Sequence, residues 1–118
     1  MRDVVITAIN EFLHQEGFIK VDSPIFTPNA CEGTTTLFPV PYFDEGTAYL
    51  SQSGQLYLEA AIASVGRCYD FGPVFRADDP RPSEGRYRQF TQFDIDAAGS
   101  ESMSVDAEMV AAMCDVFR

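Results

Sequence analysis

The stretch Phe75-Arg76-Ala77-Asp78, followed after a polar loop by Gly85-Arg86-Tyr87-Arg88-Gln89-Phe90-Thr91-Gln92, decides how this chain is read. Two aromatic-rich, strand-like segments flank a loop rich in Pro and Asp, which predicts an antiparallel hairpin over 68–75 and 87–97. Each segment carries arginines, whose charge does not titrate away in water. A hairpin of this kind aims fixed guanidinium groups at a polyanion and offers Phe90 as a flat stacking surface. A nucleoside triphosphate fits that description. Alone, the same residues also read as an exposed hairpin with ion pairs to Asp78, Asp79 and Glu84.

Working outward, residues 3–16 place Val4, Val5, Ile6, Ile9, Phe12 and Leu13 on one helical stripe. Asp3 sits near the positive helix end, and Gly17 is a stop signal. Phe18–Asp22 alternates like a strand and ends at Ser23-Pro24. Short apolar runs at 37–40 and 48–51 flank a turn region around 41–47. Residues 55–64 predict a second helix closed by Gly66. Ser104 is the expected N-cap of a last helix with an apolar stripe of Val105, Met109, Val110, Met113 and Val116. The order α-β-β-β-α-β-β-α predicts an α+β fold, an antiparallel β-sheet flanked by helices, in a single domain over 1–118.

Composition narrows the function. The 118 residues carry 18 acids against 8 basic residues, a net charge of −10. A free nucleic-acid binder needs a basic face. Here the arginines cluster at 67–88, so a local phosphate site in an acidic body is expected, with tRNA contact weak. No run of about 18 apolar residues is present to span a bilayer, and the chain opens on a helical pattern rather than a leader. Cys31, Cys68 and Cys114 lack zinc-site spacing and suit a reducing, cytoplasmic setting as packing or surface thiols. His14 falls on the polar side of the first helix.

These residues resemble motif 2 of the class II aminoacyl-tRNA synthetases, which runs Phe-Arg-x-Glu, a variable loop, then Arg-x-x-x-Phe. The resemblance implies that Arg76 grips the α-phosphate of ATP, Arg86 the γ-phosphate end, and that Phe90 stacks on adenine; Arg88 stands on the same return strand. Asp78 replaces the family's usual Glu and is one methylene shorter. Residues 3–28 look like motif 1, whose proline, Pro24 here, implies a homodimer through the first helix. Mg²⁺ is implied with the ATP, its ligands unassigned.

Within the class, residues 1–76 resemble asparaginyl-tRNA synthetase, through Cys31-Glu32-Gly33-Thr34-Thr35-Thr36-Leu37-Phe38-Pro39-Val40 and Ala48–Glu59. Leu58 stands where aspartyl relatives carry a substrate-holding lysine. Residues 79–117 resemble histidyl-tRNA synthetase, through Gly85–Phe90 and Gln92-Phe93-Asp94-Ile95-Asp96-Ala97-Ala98-Gly99. That mixture implies a minimal, ancestral-type or chimeric core. In the histidyl pattern Gln92 meets the amino acid's ammonium and Asp96 the imidazole. On charge grounds Glu32 (on a loop that closes the site in the asparagine/aspartate group), Ser53 and Gln55 are further acceptors for an ammonium, and Glu59 joins Asp96 in reading the side chain.

The 118 residues hold no segment like motif 3, the family's Gly-rich strand–helix with a further phosphate arginine. The expectation is an aminoacyl adenylate-forming ligase of reduced activity, with a sheet edge open to self-association. A non-catalytic synthetase-like binding or dimerisation domain is the alternative, and an asparagine-synthetase-like relative of the same fold a third reading.

Overall fold

The computed structural model describes residues 1–29 and 36–118. Helix α1 (Arg2–Gln15) leads into strand β1 (Ile19–Lys20), then β2 (Phe26–Thr27), β3 (Pro39–Pro41) and β4 (Thr47–Leu50). Helix α2 (Gln55–Val65), the long strands β5 (Arg67–Phe75) and β6 (Gln89–Ala97), and helix α3 (Met103–Val116) complete the chain. The expected hairpin is the backbone of the fold. Strands β5 and β6 pair antiparallel without a break from Arg67↔Ala97 to Phe75↔Gln89.

The α+β class is as expected, but some of its details need correction. The sheet is not one antiparallel layer: β1-β5-β6 and β2-β4-β3 form separate three-stranded sheets, and β1 runs parallel to β5. The strand expected over 18–22 shortens because Phe18 belongs to the helix exit, its amide donating to the Leu13 carbonyl at 2.9 Å and its ring only 4% exposed. Ser51 joins the two sheets. Its N–H donates to the Ile25 carbonyl at 2.7 Å, and its own carbonyl accepts from Phe75 N–H at 2.8 Å.

Helix α3 departs from expectation in its cap and its stripe. Ser102, not Ser104, caps it, with Ser102 Oγ accepting from the Ser104 amide at 3.2 Å. Its inward stripe is Val105, Met109, Ala112 and Val116, at the i, i+4, i+7, i+11 spacing of one helical face. Val110 and Met113 fall off that line and stay 65% and 56% exposed.

Strand periodicity sends alternate residues to opposite sides. On one side Tyr69, Phe93 and Ile95 meet α1 and α3, and Phe71 stacks on Phe93 with ring centroids 4.3 Å apart. Tyr69 donates its hydroxyl to Asn10 Oδ1 at 3.0 Å, so its buried polar tip is satisfied. Arg67 lies 4.4 Å over the Phe18 ring and pairs with Glu108, tying α3 to the sheet. On the other side α2 buries Leu58 completely, against Cys68. Cys68 and Cys114 are both free thiols, one buried and one exposed, as expected; Cys31 lies outside the described residues.

Leu58→Ala should lower stability by about 2–5 kcal/mol, the range for emptying a sealed core position. Leu56→Ala, at a site 42% exposed on the same helix, should stay within about 0.5 kcal/mol of the parent. Urea denaturation checks both.

Candidate active site

The β5–β6 register fixes what shares the sheet's second face. From the loop end inward it carries Val74↔Phe90, Gly72↔Gln92, Asp70↔Asp94 and Cys68↔Asp96. Arg76 extends the ladder by one step, its amide donating to the Arg88 carbonyl at 2.9 Å. From the arginine end to Cys68↔Asp96 the face spans roughly 26 Å at the usual rise per residue. Its charge changes sign along that length.

At the cationic end, Arg76, Asp78, Asp79, Gly85, Arg86, Tyr87 and Phe90 line a cavity of about 310 Å³. Arg76 stands with its guanidinium carbon 5.5 Å from the Phe90 ring centroid, a cation–π distance that holds both groups in place. Arg86 is set by the loop itself. Arg81 and Arg86 exchange both backbone hydrogen bonds at 3.0 Å, and Gly85 takes the left-handed turn between them with φ 72°. The ion pair within this turn is Arg81–Glu84 at 3.5 Å, not one from Arg86. Arg88 is engaged elsewhere. Its Nε donates to the Asp78 carbonyl at 3.2 Å and closes the hairpin base, and it does not line the cavity.

At the other end sit the acceptors. Gln92 has its Oε1 buried with no hydrogen-bond partner, an unusual state for a side-chain carbonyl. A side chain on Gly72, directly opposite, would meet nothing within 4 Å, so the face beside Gln92 is open. Burial pushes the Asp96 carboxyl above the usual range, and the Glu59 carboxylate adds to the shift. Asp96 in turn helps raise the Cys68 thiol, after burial as the larger cause. Gln55 Nε2 donates to Glu59 Oε1 at 3.0 Å, and Ser53 Oγ accepts from the Gln55 amide at 3.2 Å. Glu32 lies outside the described residues.

The structure therefore gathers Arg76, Arg86, Asp78 and Phe90 in one cavity and sets Gln92 and Asp96 on the same face. Glu59 reaches Asp96 electrostatically from α2. Three residues escaped the sequence reading: Gly85 and Tyr87 as cavity walls, and buried Asp70 on the same face, whose lone acid between Tyr69 and Phe71 was the available signal. Among the described residues no group of three or more His, Cys, Asp and Glu side chains is arranged to hold a metal ion. No helix among them is long and apolar enough to cross a membrane.

This geometry, cations at one end and acceptors at the other end of a shared antiparallel face, sits on a sheet flanked by helices as in the class II synthetases. The chain belongs to the class II tRNA synthetases (D, K and N), whose family model matches residues 1–118. That match covers the return strand and last helix under the same description as the first half. The chain is 50% identical over 93 residues to asparagine–tRNA ligase of Roseiflexus sp. (strain RS-1), across 79% of this chain and 20% of that protein. It is 58% identical over 78 residues to that of Sorangium cellulosum (strain So ce56), across 66% and 17%. The crystal structure of asparaginyl-tRNA synthetase from Pyrococcus horikoshii complexed with asparaginyl-adenylate superposes with a TM-score of 0.82 at 38% identity, over 97% of this chain and 26% of that one. The chain spans about a sixth to a quarter of the length of these relatives.

Because the native state holds the Asp96 proton more tightly than the unfolded chain does, stability should fall as pH rises from the ordinary carboxylate value through the raised one. Asp96→Asn should remove that fall and leave the protein more stable at neutral pH. Thermal melting across pH 3–8 (roughly the range bracketing carboxylate titration) reads the difference; parallel curves for parent and variant would refute it.

Proposed function

We propose that these 118 residues act as one domain, a synthetase catalytic core that binds ATP and asparagine and forms asparaginyl adenylate at a low rate. The observation that carries this reading is the charge-sorted face: an arginine-lined cavity at one end and a buried, unpartnered Gln92 carbonyl beside acids at the other. A triphosphate needs the first and an amino acid's ammonium the second. The asparagine assignment follows the relatives rather than the pocket.

Activation is an in-line attack of the amino acid's carboxylate on the α-phosphorus, with pyrophosphate leaving. Negative charge spreads over the phosphoryl oxygens, so positioned cations contribute more than a covalent nucleophile. Arg76 meets the α-phosphate and Arg86 the γ-phosphate end, making these the catalytic pair. Phe90 stacks on adenine beside Arg76, and Asp78 contacts the base or the tRNA end. Gln92, Ser53, Gln55 and Glu32 accept from the ammonium; Glu59 and Asp96 read the side chain. Arg88 acts indirectly, by holding the hairpin closed. Mg²⁺ travels with ATP, and no step here depends on its placement.

The acidic end also supports a second reading, histidine as substrate, because paired carboxylates suit an imidazole. Exposed Val4, Ile19 and Ile25 around the first helix and its following strand favour homodimerisation there, 44–69% of each side chain being open to water. Either substrate implies a cytoplasmic protein.

Arg76→Ala should lower ATP–pyrophosphate exchange by at least about 10²-fold, the scale for losing one transition-state donor. An exchange assay with asparagine, aspartate and histidine measures it and ranks the substrates. Exchange unchanged in a variant that melts like the parent would sink the assignment.

A further inference from the structure

Asp70 occupies the same sheet face, four ladder steps from Phe90's row and directly across from Asp94, and none of the roles above uses it. It is 9% exposed. Its Oδ2 accepts a hydrogen bond from Ser23 Oγ, the hydroxyl immediately before Pro24. The same carboxylate lies hard against Gly54: a β-carbon there would collide with Oδ2 and stand 3.0 Å from the carboxyl carbon.

Gly54 has φ −82°, an ordinary value for any residue, so its backbone does not demand glycine. Space does. Among the described glycines it alone has a neighbour within 4 Å of an added β-carbon. Gly54 is also the N-cap of α2, which has no side-chain cap and no acid in its first turn. Asp70 thus supplies, from the strand beneath, the negative charge that a helix N-terminus favours. Ser53 and Gln55 flank Gly54 directly, and their mutual hydrogen bond forms the turn.

We propose that Asp70 is a positioning residue, a peg that locks the Ser53-Gly54-Gln55 turn to the Ser23-Pro24 elbow and so sets the amino-acid end of the site. The functional half of this inference rests on the reading that Ser53 and Gln55 face the amino acid. Asp70 touches no substrate; it acts through the turn. Its removal should loosen amino-acid binding while the ATP cavity, built from the far end of the hairpin, is untouched.

The test is a double-mutant cycle on the 118-residue chain with Gly54→Ala and Asp70→Ala. Gly54→Ala alone should melt at a markedly lower temperature than the parent. The double variant should recover part of that loss, because the new methyl occupies the space the carboxylate leaves; neighbours in contact couple in this way and distant sites do not. Strictly additive losses overturn the peg. Calorimetric titration then separates its two ends. Asp70→Ala should weaken asparagine binding by about 10²-fold, the scale for an ångström-level misplacement, with ATP affinity unchanged. Asp70→Asn, which keeps the shape and an acceptor for Ser23, should recover most of the asparagine binding. Equal weakening of both ligands, or neither, overturns the positioning role. A parent chain that fails to bind asparagine overturns the substrate reading and the positioning role with it, while the melting cycle still decides the peg.

Discussion

The unbroken pairing of β5 with β6, from Arg67↔Ala97 to Phe75↔Gln89, is the constraint on which the rest depends. Because side chains alternate along a strand, the register decides every neighbour on both faces at once. One face becomes the aromatic floor for α1 and α3, with Tyr69, Phe71 and Phe93 stacked across the strands. The other becomes a row of Phe90, Gln92, Asp94 and Asp96. A one-residue slip would place the acids under α1 and the aromatic rings in the cavity. Fold and site are therefore set by a single choice.

That choice also accounts for how an acidic chain assembles an arginine-lined cavity. The net charge of −10 produces a field unfavourable to polyanions overall. Within the cavity, Arg76 and Arg86 stand together, whereas the acids of the same face, Asp94 and Asp96, lie further along the ladder. Over that separation and at ordinary ionic strength, where charges are screened within about 8–10 Å, the two ends act almost independently. The exposed Asp78 and Asp79 on the cavity rim are a closer opposing influence. They moderate its pull on free phosphate without removing the directed contacts of the guanidinium groups.

Much of this was legible in the sequence, for definite reasons. The hairpin announced itself because its two strands are long, aromatic and separated by a polar Pro/Asp loop. Helices α1 and α2 showed their periodicity and their closing glycines, Gly17 and Gly66, both at positive φ. What stayed hidden was pairing across distance. Nothing local says that Ile19–Lys20 lies parallel to Cys68–Tyr69, or that Ser51 bridges two sheets through backbone groups alone. The cap of α3 was misplaced by two residues because Ser100, Ser102 and Ser104 are chemically alike; the φ, ψ pair of −73°, 134° at Ser102 decides among them. Asp70 was missed because a lone acid in a strand gives no sign of the glycine that will press on it.

The site's unfavourable terms point the same way as its favourable ones. A buried Gln92 carbonyl without a hydrogen-bond partner, and an Asp96 carboxyl desolvated by burial with the Glu59 carboxylate nearby, each cost stability. A structural core would replace them with apolar side chains at no loss. Both defects share one remedy, a cation with N–H donors placed over the Gln92–Asp96 end of the face. An amino acid's ammonium has that chemistry, and under the proposed function its carboxylate would point away from the acids toward the arginines. Under the proposed function, the cost at the acidic end and the orientation required for attack on the α-phosphate would be two consequences of one charge pattern.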